Sequence, residues 1–210
     1  MHFRLRPASS DKVDAELVRI LAFHKKHAHK FVRERDPKIL KAAIERSSFL
    51  LLEDELGELH GTSAQISHGS GKYSETGIVR VIINGFGLQT IMMGLAATTE
   101  YVLSPPSHDI FAITASDNEA SIKSILRAGF VSHKADSALL QTLGLLEFPA
   151  SKRLFKFEHS VTSVIRRQLI DLAKSRRITK NNHTLSLAPD VPLLRGSLLE
   201  LLANERNWNP

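Results

Sequence analysis

Residues 77–103 constrain the fold most, because a stretch rich in β-branched residues runs through a two-glycine turn into a long apolar helix. Residues 77–83 (GIVRVII) are short and apolar, which predicts a buried strand. Residues 84–87 (NGFG) form the turn, and residues 88–103 predict the helix. Two prolines after Ser104 end that helix, because proline lacks an amide donor and restricts the residue before it. This segment indicates a domain in which sheet and helix form separate layers.

The elements on either side extend this pattern to an α/β fold with a mixed central sheet flanked by helices. Upstream, the pattern predicts strands over 2–6, 49–53 and 59–68, a helix ending near residue 29 and a second helix from about residue 36. Downstream, it predicts strands over 109–115, 130–133 and 153–158, and helices over 117–128 and 139–146. We therefore predict one α/β domain over residues 1–158.

The composition excludes several classes of chemistry. The chain has no cysteine, so disulfides, thiolate metal sites and a cysteine nucleophile are absent. No apolar run approaches the roughly 20 residues that span a bilayer, and the N-terminus reads as a strand rather than a signal peptide. These features predict a cytoplasmic protein that does not enter a membrane.

Two motifs in this order resemble those of the GCN5-related N-acetyltransferase superfamily. The turn Asn84-Gly85-Phe86-Gly87-Leu88-Gln89 stands in the frame of that superfamily's Gln/Arg-x-x-Gly-x-Gly/Ala signature. Residues 118–122 (NEASI), with Gly129 and Phe130 after them, are similar to its Asn-x-x-Ala/Ser-Ile helix and Gly-Phe ending. The order of elements also agrees, so the resemblance covers roughly residues 2–158.

The resemblance implies that the turn and the strand before it bind acetyl-coenzyme A or another acyl-coenzyme A. Small residues at a helix start let backbone amides approach a pyrophosphate, although glycines also occur in ordinary tight turns. Asn84 and Gln89 depart from the signature, and Asn118 is expected to contact the coenzyme or to order its loop. The expected coenzyme-binding residues are Val79, Arg80, Val81, Gly85, Phe86, Gly87, Leu88, Gln89, Thr90 and Asn118.

Catalysis is less clearly encoded than binding. Many relatives place an acidic tyrosine seven residues after the asparagine, where this chain has Ile125. Ser124 is turned about 100° away from that position, so it substitutes poorly. Glu75 is the candidate general base acting through water, with a solvated carboxylate at the strand end as the alternative. The general acid is unassigned; Tyr73 and Tyr101 are the chain's tyrosines.

Two further patterns, a histidine cluster and a glycine-rich turn, have simpler explanations than a metal site or a nucleotide-binding loop. His24, His27 and His29 lie near the end of the first helix, where imidazoles one turn apart could share a metal. Cationic groups also favour helix C-termini, so we expect a solvated helix end and no metal. Residues 69–72 (GSGK) do not form a P-loop, because Ile66 occupies the position of its first glycine. They predict a hairpin turn.

Residues 159–210 predict a basic, helical C-terminal extension. From residue 150 onward there are 11 Lys and Arg against 5 Asp and Glu, whereas residues 1–149 hold 17 of each. We predict an amphipathic helix over 160–177, a polar connection over 179–192 and an apolar helix over 193–203 that serves as core or as a homodimer contact. Arg166, Arg167, Arg176 and Arg177 could attract an anionic partner such as nucleic acid or an acidic acceptor.

These features lead to two functional hypotheses. The first is an N-acyltransferase that moves an acetyl group from acetyl-coenzyme A to an amine-bearing small molecule or protein by direct attack. The second is a non-catalytic domain of the same fold that serves as a coenzyme sensor or a nucleic-acid-associated module. Ile125, the altered turn and the basic C-terminal segment favour the second hypothesis, and the combined motifs favour the first.

Overall fold

A computed structural model describes residues 1–28, 35–68, 72–83, 86–104, 108–158 and 163–188. The strands are β1 His2–Pro7, β2 Phe49–Asp54, β3 Leu59–His68, β4 Tyr73–Val81, β5 Asp109–Ala115, β6 Phe130–His133, β7 Lys152–Phe157, β8 Arg177–Lys180 and β9 His183–Leu187. The helices are α1 Val13–Lys26, α2 Pro37–Glu45, α3 Leu88–Leu103, α4 Glu119–Arg127, α5 Ser137–Thr142 and α6 Ser163–Ser175, with a short 3-10 turn at Ser10–Lys12.

The described strands form one mixed sheet in the order β6-β7-β5-β4-β3-β2-β1-β9-β8. β4 runs parallel to β5, and β9 runs parallel to β1, while the other neighbouring pairs are antiparallel. The predicted α/β fold with a mixed central sheet is therefore confirmed. No helix among the described residues is both long enough and apolar enough to span a bilayer.

Helices cover both faces of the sheet. On one face α3, α4 and α6 pack against the strands; their contacts include Phe3, Leu52, Ile91, Ile125, Phe155 and Leu172. On the other face α1 and α2 cover β2 and β3 through Ile20, Ile44, Phe49 and Ile66, and α5 packs Leu139 beside Phe111. The central strands are thus buried on two sides, which explains the near-continuous apolar runs in β2 and β5.

β4 begins at Tyr73, four residues before the start that its apolar pattern predicted. Residues 73–76 pair with the end of β3 from Gln65 to His68, and Ser74, Glu75 and Thr76 are buried although they are polar. A strand whose buried side chains are polar carries no apolar signal, so the sequence pattern missed it. The predicted hairpin turn before it falls on residues 69–71, which lie outside the described part of the chain.

The predicted polar connection over residues 179–192 is wrong for residues 179–180, which end β8, and for residues 183–187, which form β9. Leu185 and Leu187 enter the core, and Thr184 and Ser186 alternate with them. This short strand depends on pairing with β1, at the other end of the chain, so its local pattern did not reveal it. The predicted amphipathic helix over 160–177 is confirmed from Ser163 to Ser175, the bounds of α6, and is wrong at residue 177, which begins β8. The boundary at residue 158 stays a prediction, and the predicted helix over 193–203 lies outside the described residues.

A buried ion network joins β1, β2 and α1. The Arg6 guanidinium donates two hydrogen bonds to Glu53, at 2.8 and 2.6 Å, and a third to Glu16 at 2.6 Å. Arg19 donates to both carboxylates. Burial alone raises the pKa of Glu53, but the hydrogen bonds from Arg6 and Arg19 outweigh it, so this pKa lies below its ordinary value.

We predict that Glu53→Gln destabilises the protein by roughly 3 kcal/mol at pH 7, because it leaves buried arginine charge without its partner. Since the folded pKa of Glu53 is lowered, its stabilisation is complete above the ordinary pKa of 4.5 and is lost as the pH falls through the folded value. Urea unfolding at several pH values measures both effects. Glu55→Gln, at an exposed carboxylate, is the control. An equal loss in both variants would contradict the prediction.

Candidate active site

A cavity opens where β4 and β5 separate. The two strands pair at Tyr73–Asp109, Ser74–Ile110 and Glu75–Phe111, and no further pair joins them among the described residues. Beyond this point a cavity of about 820 Å³ lies between residues 76–81 of β4 and residues 112–115 of β5. The start of α3, the first turns of α4 and residues 142–152 complete its walls.

A bulge in β4 shapes one wall of this cavity. The register with β3 shifts between Thr62, opposite Arg80, and Ala64, opposite Gly77, so β4 carries one extra residue. Ile78 has a φ of 55°, which is unfavourable for a β-branched residue and is found where surrounding structure enforces it. The Thr62 hydroxyl donates to the Ile78 carbonyl at 3.0 Å and so holds the bulge.

The N-terminus of α3 lies at the cavity. Gly87 is the N-cap with a φ of 74°, and no side chain among the described residues caps the helix. The first helical bond runs from the Ile91 amide to the Gly87 carbonyl, so the amides before Ile91 are available to an anion. Gln89 lines the cavity, and Thr90 is buried. Asn84 and Gly85, the first half of the predicted turn, lie outside the described residues.

The other predicted coenzyme-binding residues fall into two groups. Val79, Arg80, Val81 and Asn118 line the cavity. The side chains of Phe86 and Leu88 lie in the core, so these two residues could serve a ligand through their backbone alone. The Asn118 side chain caps α4, because its Oδ1 accepts from the Ser121 amide at 3.2 Å. The role predicted for Asn118, contact with the coenzyme or ordering of its loop, stays a prediction.

The cavity wall has an apolar residue, Ile125, at the position where the resemblance led us to look for an acidic tyrosine. Ile125 lines the cavity and is almost completely buried. The Ser124 hydroxyl donates to the Ala120 carbonyl at 3.0 Å, so it points back to its own helix. Tyr73 and Tyr101 pack in hydrophobic clusters and do not line the cavity. The described residues therefore provide no tyrosine as a general acid.

Glu75 lies at the closed end of the cavity, where β4 and β5 separate. The alternative of a solvated strand-end carboxylate is wrong, because its side chain is 4% exposed. Oε1 accepts a hydrogen bond from Arg35, and Oε2 accepts one from His68 at 3.1 Å. Burial alone raises the pKa of Glu75, but the bond from His68 and the charge of Arg35 outweigh it and hold that pKa below its ordinary value. Glu75 is therefore ionised at neutral pH.

Arg35 and His68 were not predicted as site residues. They lie 40 and 7 residues from Glu75 in sequence, and only the folding of α2 and β3 against β4 brings all three together. Their positions carried weak signals, a strand end for His68 and the residue before a helix cap for Arg35. Neither signal specifies a common partner.

The histidines of α1 do not form a metal site among the described residues. His24 Nε2 lies 3.1 Å from the Thr62 hydroxyl, which accepts this bond because its one proton goes to Ile78. Burial, aided by the charge of Arg80, lowers the pKa of His24 to about 4. The expectation of a solvated helix end is therefore wrong for His24. His29 lies outside the described residues.

A cluster of possible ligand atoms does occur in the hairpin between β2 and β3. Asp54, Glu58 and His60 each place one such atom within 4.8 Å of the others. The Asp54 carboxylate already accepts from the Leu56 and Glu58 amides and pairs with His60 at 2.9 Å. These bonds close the turn, and they account for the cluster.

The geometry has counterparts among solved structures. The fold is similar to ribosomal-protein-S5-alanine acetyltransferase from Vibrio fischeri, at 15% identity and a TM-score of 0.50 over 74% of this chain and 92% of that one. It is similar to a Mycobacterium tuberculosis protein solved with coenzyme A, at 19% identity and a TM-score of 0.51 over 73% and 99% of the chains. It is also similar to a GNAT-family acetyltransferase from Staphylococcus aureus, at 15% identity and a TM-score of 0.50 over 74% of this chain and 98% of that one.

These similarities show that the chain has the fold of the GNAT acetyltransferases, as its two motifs predicted. They extend over nearly the whole length of the three solved proteins. No protein-family model matches the sequence, and no curated protein matches it. The fold assignment therefore rests on the arrangement of the elements and on the two short motifs.

We predict that His24 stays neutral until the pH approaches 4, and that Arg80→Gln raises the pKa of His24 without restoring the ordinary 6.5, because burial remains the larger cause. Since the folded pKa is lowered, the contribution of His24 to stability is complete above pH 6.5 and declines as the pH falls toward 4. NMR titration of the imidazole measures this pKa. Lys12→Gln removes a charge at the opposite end of α1 as control, and an equal shift there would contradict the role of Arg80.

Proposed function

We propose that the protein is an acyl-coenzyme A-dependent N-acyltransferase that transfers an acetyl group from acetyl-coenzyme A to a primary amine by direct attack. One observation carries this proposal. The cavity between β4 and β5 leads from the uncapped N-terminus of α3 to an ionised carboxylate at Glu75. The helix end can bind the phosphates of an acyl donor, and the carboxylate end can promote removal of a proton from an amine acceptor.

The residues present fit a coenzyme in this cavity. The bulge at Ile78 interrupts the ladder with β3, and the divergence from β5 frees the other edge of β4, so backbone groups near residues 79–81 can pair with pantetheine amides. The Arg80 Nε atom is buried without a hydrogen-bond partner among the described residues, as expected for a group that pairs with a ligand. Amides of Gly87 to Thr90 would hold the pyrophosphate.

The chain's own groups can promote acyl transfer in two ways. Attack on a thioester requires an unprotonated amine, so a base near Glu75 must take up a proton. Backbone amides beside the thioester would stabilise the oxyanion of the tetrahedral intermediate. The apolar wall at Ile125 offers no proton to the leaving thiolate, so we propose that the thiolate takes its proton from water.

A non-catalytic coenzyme-binding domain is the second candidate, and Ile125 is the observation that favours it. The nucleic-acid form of this candidate has less support, because one of its predicted cations, Arg176, donates to the Ala188 carbonyl within the fold. A cytoplasmic location, a homodimer and an anionic partner stay predictions. The acceptor amine belongs to a small molecule or a protein.

Gly87→Glu is expected to abolish acetyl-coenzyme A binding, because it places a carboxylate where the pyrophosphate would meet the amides of α3. Isothermal titration calorimetry measures the dissociation constant of wild type and variant. Gly57→Glu is the matched control, since Gly57 also has a positive φ and open space around it but lies in the distant hairpin between β2 and β3. Unchanged binding in Gly87→Glu would sink the proposal.

Turnover separates the two candidates. We expect thiol release when acetyl-coenzyme A is incubated with a panel of primary amines, amino acids and peptide N-termini, and mass spectrometry should find the acceptor heavier by one acetyl group. Binding without turnover on the whole panel would support the coenzyme sensor instead. Absence of binding at millimolar acetyl-coenzyme A would contradict both.

A further inference from the structure

His68 is the second titratable group at the closed end of the cavity. It ends β3, and its Nε2 lies 3.1 Å from Glu75 Oε2. Its ring packs against Phe111 with the ring centroids 5.5 Å apart. The side chain lines the cavity and is 18% exposed, compared with 4% for Glu75. His68 therefore reaches the cavity more openly than Glu75 does.

The hydrogen bond to Glu75 specifies which nitrogen of His68 carries a proton. Glu75 is ionised, and a carboxylate can only accept, so His68 Nε2 must donate. In the neutral ring, Nδ1 then holds a lone pair. Nδ1 forms no hydrogen bond with the described residues and is not among their fully buried unpaired polar atoms, and the side chain that carries it lines the cavity.

Glu75 itself is poorly arranged to accept a proton from an acceptor amine. Each of its oxygens already receives a hydrogen bond, one from Arg35 and one from His68. These partners hold the pKa of Glu75 below its ordinary value, and a weaker base gains less by taking a proton. Glu75 is better placed to orient a base than to be one.

We infer that His68 Nδ1 is the proton acceptor of the reaction and that Glu75 is a positioning residue that holds the imidazole in its Nε2–H tautomer. This inference rests on the proposed N-acyltransferase function. In other enzymes a carboxylate also orients a histidine base: it fixes the tautomer of the ring, and the opposite nitrogen contacts the substrate. Arg35 completes it by keeping Glu75 ionised.

In the proposed step one carbon–nitrogen bond forms and one carbon–sulfur bond breaks. The neutral amine nitrogen attacks the thioester carbonyl carbon, and its surplus proton passes to His68 Nδ1. The carbon–sulfur bond then breaks, and coenzyme A leaves as a thiolate that takes one proton from water. His68 returns its proton to water, so one amide and one thiol form from one amine and one thioester.

The charged groups around His68 come from two neighbouring elements. Glu75 faces it from β4, and Arg35, before α2, binds the other oxygen of Glu75. β5 presents the uncharged Phe111. Arg46, at the end of α2, bonds the adjacent Ser67 hydroxyl. The charges of these groups therefore contribute to the pH dependence of the reaction.

Substitution of His68 tests the inference through the pH profile. We expect His68→Gln to lower kcat/KM by at least about 100-fold, to remove the acidic limb of the wild-type profile and to leave the dissociation constant of acetyl-coenzyme A within twofold. Added imidazole should restore part of the activity of His68→Gly. His133→Gln, at an exposed histidine on β6, is the matched control and should behave as wild type. Retention of activity within threefold in His68→Gln overturns the inference.

A second measurement does not depend on turnover. Nitrogen-15 NMR of the ligand-free protein should show the neutral His68 ring protonated at Nε2 and unprotonated at Nδ1, with this preference weakened in Glu75→Gln. A ring protonated at Nδ1 overturns the inference. A wild-type protein that binds acetyl-coenzyme A but acetylates no amine overturns the proposed function together with it, whereas an active wild type with an active His68→Gln overturns the role of His68 alone.

Discussion

β4 and β5 hydrogen-bond through three residue pairs and then diverge, and the candidate site exists because of this divergence. The bulge at Ile78 bends β4, since an extra residue increases the local twist of a strand. β5 continues beyond Phe111 and pairs with β7 on its other side. A parallel sheet that kept its ladder here would fill the space with backbone, and neither a coenzyme nor an acceptor amine could enter.

Two buried glutamates have similar electrostatic surroundings but differ in their access to a cavity. Glu53 and Glu75 are both surrounded by donors, and each has a pKa below its ordinary value despite its burial. Arg6, the main partner of Glu53, is itself nearly buried, so that pair joins β1, β2 and α1 as structure. Glu75 instead shares its second oxygen with a histidine that opens onto a cavity. The carboxylate of Glu53 is thus enclosed by its partners, whereas that of Glu75 lies beside a cavity.

Much of the fold was predictable from local patterns. The helix over 88–103 and the strands over 59–68, 109–115 and 130–133 match the structure, because apolar periodicity and the flanking glycines and prolines mark their ends. The start of β4 and the whole of β8 and β9 were not. β4 starts with buried polar residues, β9 is short and depends on β1, and β8 pairs with β9, so each takes its strand character from a partner strand. The expected coenzyme-binding residues came from the resemblance and stay a prediction, whereas the partners of Glu75 carried no signal that linked them to it.

The sequence alone determined the layered α/β architecture, the glycine turn before α3 and the apolar residue at Ile125. Each of these three features depends on the residues at that place in the sequence, through their backbone preferences or the identity of their side chains. The tertiary structure decided that Glu75 is buried and ionised, and that Arg35 and His68 are its partners. Electrostatic environment depends on groups that are distant in sequence and close in space, so it emerges only when α2, β3 and β4 pack together.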